Sequence, residues 1–360
     1  MLTRITGAVL RRPWIAVSLT GLALSVPLLF VFNVWPGTLP NSSAFLTTVG
    51  PAVCYADQPS PLTASCPALA YPADFRGTVG YPQKWAMAIL QYAVGVSALT
   101  AFRLTMAAVI LAALLGARTL FVRMVGRHWA AWVGASVYLI SPIVLGEAGY
   151  GALQLGFMLV PCYVLADQTF LAYVRRRRWP HAAAAAVLVV ALRVFAILTD
   201  PYSLVMSLVL VGVMYLVWLV RRIRERAVLQ LGVAAGVAAG SVVTAYLIYT
   251  RLVGTSSFTK MPMDFFRGQG VDLYVQVVPP ANLWFADLLG LHHHLTAYQA
   301  YSDGPNIMQV FLGWVLLATA VAGAVVLVRR GRWRRSLTLG VVAAGAIGFV
   351  LALGPSLRVA

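Results

Sequence analysis

The residues of this chain best suited to acid–base or phosphate chemistry are few. Asp74 stands in Ala73-Asp74-Phe75-Arg76-Gly77. A carboxylate there could take the proton of an acceptor hydroxyl, or hold a divalent cation together with a phosphate. The plainer reading is a solvated loop acid paired with Arg76. Arg193 and Asp200 lie about two helical turns apart, so on one helix they share a face. Arg193 matches phosphate geometry, or it reaches outward to Asp200. Arg103 could contact the same phosphate, or snorkel toward the headgroups. Glu147, in Gly146-Glu147-Ala148-Gly149, could line an outer cavity with these groups or be an ordinary turn residue.

Other patterns argue against some chemistries. His292-His293-His294 is a poor metal site, because adjacent side chains diverge and metal motifs space their ligands. No Gly-rich phosphate loop, G-x-S-x-G elbow or H-E-x-x-H motif occurs. Cys54 and Cys66 fall in one segment and are expected to form a disulfide in an oxidising exterior. Cys162 reads as a small packing residue.

The elements that must position these groups are set by composition. Hydrophobic residues make up 61% of the 360 and charged residues 10%, and the mean hydropathy is +0.83. A soluble domain carries about 25% charged residues. Apolar runs long enough to cross a roughly 30 Å hydrocarbon core recur along the chain. In lipid such runs must be helical, so that every backbone group is paired. We expect an all-α integral membrane protein with about nine transmembrane helices, near 14–34, 98–121, 129–146, 150–172, 181–199, 203–220, 227–249, 308–328 and 336–353. Residues 1–360 read as one polytopic domain, and the stop at Ala360 just after a helix suggests a truncated C-terminus. The first apolar run is too long for a signal peptide and lacks a clear cleavage site, so we expect it to be retained.

The formal net charge is +17. Its placement excludes nucleic acid as the partner. Most of the 27 Lys and Arg residues cluster between apolar runs: at Arg4–Arg12, Arg118–Arg127, Arg175–Arg178, Arg221–Arg226 and Arg329–Arg335. The positive-inside rule then puts the N-terminus in the cytoplasm. Most acidic residues fall on the other side, and only Asp167 and Glu225 lie toward the cytoplasm. Two long extracytoplasmic loops result, at 35–97 and 250–307. The first ends in an apolar stretch, Lys84–Gly95, that reads as a helix at the interface with Trp85 and Tyr92 at headgroup depth.

The order of local patterns resembles the GT-C superfamily of integral-membrane glycosyltransferases, especially its YfhO-like members. Gly80-Tyr81-Pro82 closes the first loop, and Leu139-Ile140-Ser141-Pro142 ends a helix hairpin. Gly149-Tyr150-Gly151-Ala152-Leu153-Gln154 leads to Val160-Pro161, and Asp200-Pro201-Tyr202 follows. Val277-Val278-Pro279-Pro280, Phe311-Leu312-Gly313-Trp314 and Leu353-Gly354-Pro355 complete the series. Tyr150 stands where relatives often carry His, Asn306 near where they often carry Glu, and the first loop has no paired acids.

The resemblance implies an extracytoplasmic active face on a membrane such as the bacterial cytoplasmic membrane. It implies a polyprenyl-phosphate sugar donor and a glycan or lipid acceptor. Asp74 is then the base or a ligand of a divalent metal ion, and Arg103, Arg193, Glu147, Asp200 and Gln154 are substrate contacts. Two other function classes remain: a transporter or flippase of lipid-linked sugars or lipids, and a non-catalytic membrane scaffold of cell-envelope assembly. A transporter should carry acids deep in its helices and broken helices at the midplane.

Overall fold

The computed structural model describes residues 13–32, 34–37, 49–56, 81–141, 144 and 152–253, with isolated helical positions at 322, 325 and 329. Among these residues the regular structure is helical, with no strand. The helices are α1 (Pro13–Val31), α2 (Gly50–Ala56), α3 (Tyr81–Val94), α4 (Ala98–Val125), α5 (His128–Leu139), α6 (Ala152–Arg175), α7 (Trp179–Thr199), α8 (Pro201–Arg224) and α9 (Val228–Val253). Five contain segments long and apolar enough to cross a membrane: Ala98–Met124, Gly156–Arg175, Trp179–Thr199, Ser203–Arg224 and Val228–Leu252. With α1 supplying a shorter apolar helix, Ile15–Val31, this is the architecture of an all-α integral membrane protein.

Local chemistry explains where the helices begin and end. Ser97 caps α4 by accepting the Thr100 amide at 3.2 Å. Gly126 ends α4 at φ 75°, giving its N–H to the Val122 carbonyl. The α6–α7 and α8–α9 turns close in one way. Arg177 (φ 55°) and Arg226 (φ 53°) occupy the left-handed position. In each turn the backbone donates twice into the last turn of the preceding helix: Arg177 to Val174 and Arg178 to Tyr173, then Arg226 to Ile223 and Ala227 to Arg222. Arg replaces the usual glycine there, at a steric cost, and puts a positive charge at a helix C-terminus.

Within the expected span 129–146 the described helix ends at Leu139, Ile140 and Ser141 leave it, and Val144 is helical again. Ser141 precedes Pro142, which disfavours helical backbone at that residue. The spans expected at 308–328 and 336–353 lie outside the described residues, apart from those three positions.

The described helices divide into two compact units. One holds α1 to α5 with residues 152–165 and 198–200; the other holds residues 166–197 and 201–253. In the first unit Gly21 lets α1 approach Leu111 and Leu115 of α4 and Trp132 of α5. Gly116 of α4 lies against Cys162 of α6, leaving no room for a methyl group. Cys162 is the free cysteine among the described residues, and its thiol points at the Ala112 carbonyl, 3.5 Å away.

Pro161 sits inside α6 and cannot donate to Phe157, four residues back. The Tyr138 hydroxyl of α5 donates to that carbonyl instead. A backbone acceptor that lipid could not satisfy is thereby paired by a neighbouring helix.

Candidate functional site

Two buried polar clusters stand out, one in each unit. The first lies in residues 166–197 and 201–253. Arg193 of α7 and Asp167 of α6 form an ion pair at 2.5 Å, with both side chains almost fully buried. The Tyr215 hydroxyl of α8 donates to the other carboxylate oxygen at 3.0 Å. The second guanidinium nitrogen donates to Ser207 of α8 at 3.4 Å, while Arg193 Nε has no hydrogen-bond partner among the described residues. Three helices thus meet on one carboxylate.

This corrects the reading of Arg193 as reaching toward Asp200. The shared face of α7 was real as a periodicity, but an acid on the preceding helix takes the guanidinium. Asp167 is buried as well. It lies eight residues before Arg175, about 12 Å along the helix. Arg193 lies fourteen residues after Trp179, about 21 Å along α7. Both therefore fall well inside apolar helices, where an isolated charge is costly and needs a partner.

The second cluster lies in the first unit. Helix α3, expected from Lys84 to Gly95, begins at Tyr81 and ends at Val94. Its inner face holds Gln83, Lys84, Met87 and Ala88, all buried, while Ile89, Tyr92 and Val94 are exposed. Gln83 Nε2 donates to Thr199 Oγ1 at 3.0 Å. Gln83 Oε1 is buried and accepts no hydrogen bond from the described residues. Thr199 and its neighbour Asp200 are fully buried at the end of α7. Burial pushes the Lys84 ammonium down to about 8, because a low-dielectric surrounding disfavours its charge.

Sequence reasoning missed Gln83 and Lys84. A polar pair beside apolar residues looks like a solvent-facing edge, whereas here Gln83 and Met87, and Lys84 and Ala88, share the buried face at i, i+4 spacing. The available signal was that spacing, which joins each polar residue to a small or flexible apolar one.

The other expected site residues are placed as follows. Asp200 is buried at the α7–α8 junction, and Arg103 is half-buried in the second turn of α4. Gln154 falls in the first turn of α6. Asp74 and Glu147 lie outside the described residues, so the structure brings neither to a cluster. Cys54, in α2, is disulfide-bonded, and its expected partner Cys66 lies outside the described residues. Among the described residues no group of three or more His, Cys, Asp or Glu side chains could hold a metal ion.

At the arginine-rich ends the cations have local partners. Arg118 donates to His128 Nδ1 at 2.8 Å and lies 5.3 Å from the centre of the Trp132 ring. Arg222 lies over Trp218 and pairs with Glu225.

No family model, curated protein or solved structure matches this chain. A functional reading therefore rests on the residues themselves.

Proposed function

We propose that this chain is a membrane-embedded glycosyltransferase-like protein. It moves a sugar from a polyprenyl-phosphate carrier to a glycan or lipid acceptor on the extracytoplasmic face, in a membrane such as the bacterial cytoplasmic membrane. The observation that supports it most is the Gln83–Thr199 hydrogen bond. This contact ties α3, which follows Asp74 in the sequence, to the end of α7 where Asp200 is buried. Lys84 follows Gln83 and Asp200 follows Thr199, so both charged residues neighbour this contact in the chain.

In the proposed step Asp74 takes the proton of the acceptor hydroxyl. The new glycosidic bond forms as the sugar's bond to the carrier phosphate breaks, and the polyprenyl phosphate leaves with that electron pair. Asp200 positions the acceptor. Arg193 is dropped as a phosphate contact because Asp167 already balances its charge.

The test is transfer by the reconstituted full chain from a hexose-bearing polyprenyl phosphate to a membrane-glycan extract, read by mass spectrometry. Removing a general base lowers rates by about 10²–10⁴-fold, so Asp74→Ala should fall by that factor with folding intact. Unchanged transfer in a folded Asp74→Ala protein sinks the assignment. One observation favours a second reading, a transporter or flippase: the Asp167–Arg193 pair lies deep within apolar helices, where transporters keep ionisable groups. Movement of the labelled carrier between leaflets without covalent transfer would select it.

A further inference from the structure

Two turns in the unit that holds residues 166–197 and 201–253 carry more charge than their fold requires. Arg177 and Arg226 adopt left-handed backbone, at φ 55° and 53°, where a glycine would sit without steric cost. Three demands could keep an arginine there, and neighbours already meet two of them. The dipole at each helix C-terminus is answered by Arg175 in the last turn of α6, and by Arg221, Arg222 and Arg224 in that of α8. Orientation in the membrane follows the number of cations in a loop. Arg175, Arg176 and Arg178 supply those beside Arg177, as Arg221, Arg222 and Arg224 do beside Arg226. The third demand is a ligand that takes the guanidinium itself. Arg176, Arg177, Arg178, Arg224 and Arg226 are all exposed. No acid lies between Asp167 and Asp200 in the sequence, and Glu225 of the other turn is taken by Arg222. Apolar residues stand exposed directly after each basic tip: Trp179 at the start of α7, and Val228 and Leu229 at the start of α9. A guanidinium matches the oxygens of a phosphodiester, and an apolar side chain beside it enters the headgroup–acyl boundary. A phospholipid offers both partners. A soluble phosphate offers only the first.

We propose that the α6–α7 and α8–α9 turns form a docking surface for anionic phospholipid headgroups, with Arg177 and Arg226 kept there for their charge. Helices α7 and α8, each long enough to cross the membrane, lie between the two turns, so both turns return to one face. The surface stands independently of the transferase reading.

The test places the full chain in nanodiscs of mixed phosphatidylcholine and phosphatidylglycerol. Native mass spectrometry then gives the ratio of the two lipids that the protein retains. One arginine near an anionic surface is worth about fivefold in affinity. The double variant Arg177→Gly with Arg226→Gly should therefore lower the preference for phosphatidylglycerol by about fivefold or more. In phosphatidylcholine alone it should melt at or above the wild-type temperature, because glycine relieves the left-handed strain. Arg177→Lys with Arg226→Lys keeps both charges and should stay within about twofold of the wild-type preference. An unchanged preference in the glycine variant overturns the proposal, as does a lysine variant that loses as much as the glycine one. A glycine variant that fails to fold, or melts well below wild type in phosphatidylcholine, also overturns it, because the arginines would then serve the fold. Inorganic phosphate is the last probe. If it raises the wild-type melting temperature in phosphatidylcholine as far as phosphatidylglycerol does, the occupant is a soluble anion and the lipid assignment falls.

Discussion

The Asp167–Arg193 cluster and the α3 turn both bury a cation away from water, but by different means. In the first, a carboxylate takes the guanidinium at 2.5 Å and a tyrosine saturates its other oxygen. In the second, burial itself lowers the ammonium's affinity for its proton, and the neighbouring Gln83 amide oxygen has no donor among the described residues. A balanced pair of this kind fixes how helices meet. The α3 ammonium instead answers to pH, because burial disfavours its charged form. Where a charge is buried therefore says less than what balances it.

The largest expected effect separates these roles. Asp167→Ala leaves Arg193 uncompensated inside apolar helices and should destabilise the protein by about 3–5 kcal/mol. Replacing both residues by leucine and methionine should recover most of that loss, because swapping a buried pair for apolar groups is often near neutral. Thermal unfolding in detergent gives both numbers. A double variant that folds normally but loses function would break the comparison, by showing that the balanced pair does more than join helices.

Next comes the pH response of Lys84. Below about pH 8 the ammonium is protonated in both folded and unfolded chains. Between about 8 and its ordinary value of 10.5, the unfolded chain binds the proton and the folded chain does not. Stability should therefore rise through that window, by at most about 1.4 kcal/mol per pH unit. Lys84→Met should flatten the rise. A rise that Lys84→Met flattens sharpens the contrast with the ion pair. A slope left unchanged in Lys84→Met removes it.

Two smaller effects test whether the first unit is well packed apart from its open acceptor. Gly116→Ala drives a methyl group into Cys162 and should cost about 1–3 kcal/mol. Adding Cys162→Ala should return much of it, read as a double-mutant cycle. Tyr138→Phe removes the donor to Phe157 and should cost about 1 kcal/mol. In a Pro161→Ala background the helix supplies its own donor, so the same change should cost almost nothing. Absence of coupling at both sites would mean a loosely packed unit, in which an unpartnered Gln83 oxygen loses its significance.

Much of the fold was legible because lipid makes a simple demand. Long apolar runs must be helices, and arginines mark where they stop, so the spans near 98–121, 150–172, 181–199, 203–220 and 227–249 correspond to α4 and α6 to α9. Within the span near 129–146, hydropathy does not register the break at Ile140 and Ser141, which the following proline favours. The site was less legible. Periodicity relates residues of one helix, so it offered Asp200 to Arg193 and had no means of offering Asp167 from α6. Gln83 and Lys84 were passed over because polarity was read as exposure, while the packing of α3 turned that face inward. Asp74 and Glu147 were read from residue type and position alone, and neither is among the described residues.

The Asp167–Arg193 pair also bears on how the protein is made. On insertion scales an aspartate or arginine at a helix centre costs about 2.5–3.5 kcal/mol, so α6 and α7 are each poor candidates to enter the bilayer alone. They are joined by residues 176–178, whose arginines stay with the basic side. Translation delivers the acid first and the cation about a helix later. The cheapest cargo for the insertion machinery is the two helices together, already paired, and a ribosome stalled between them would leave a nascent helix with little reason to remain in the membrane.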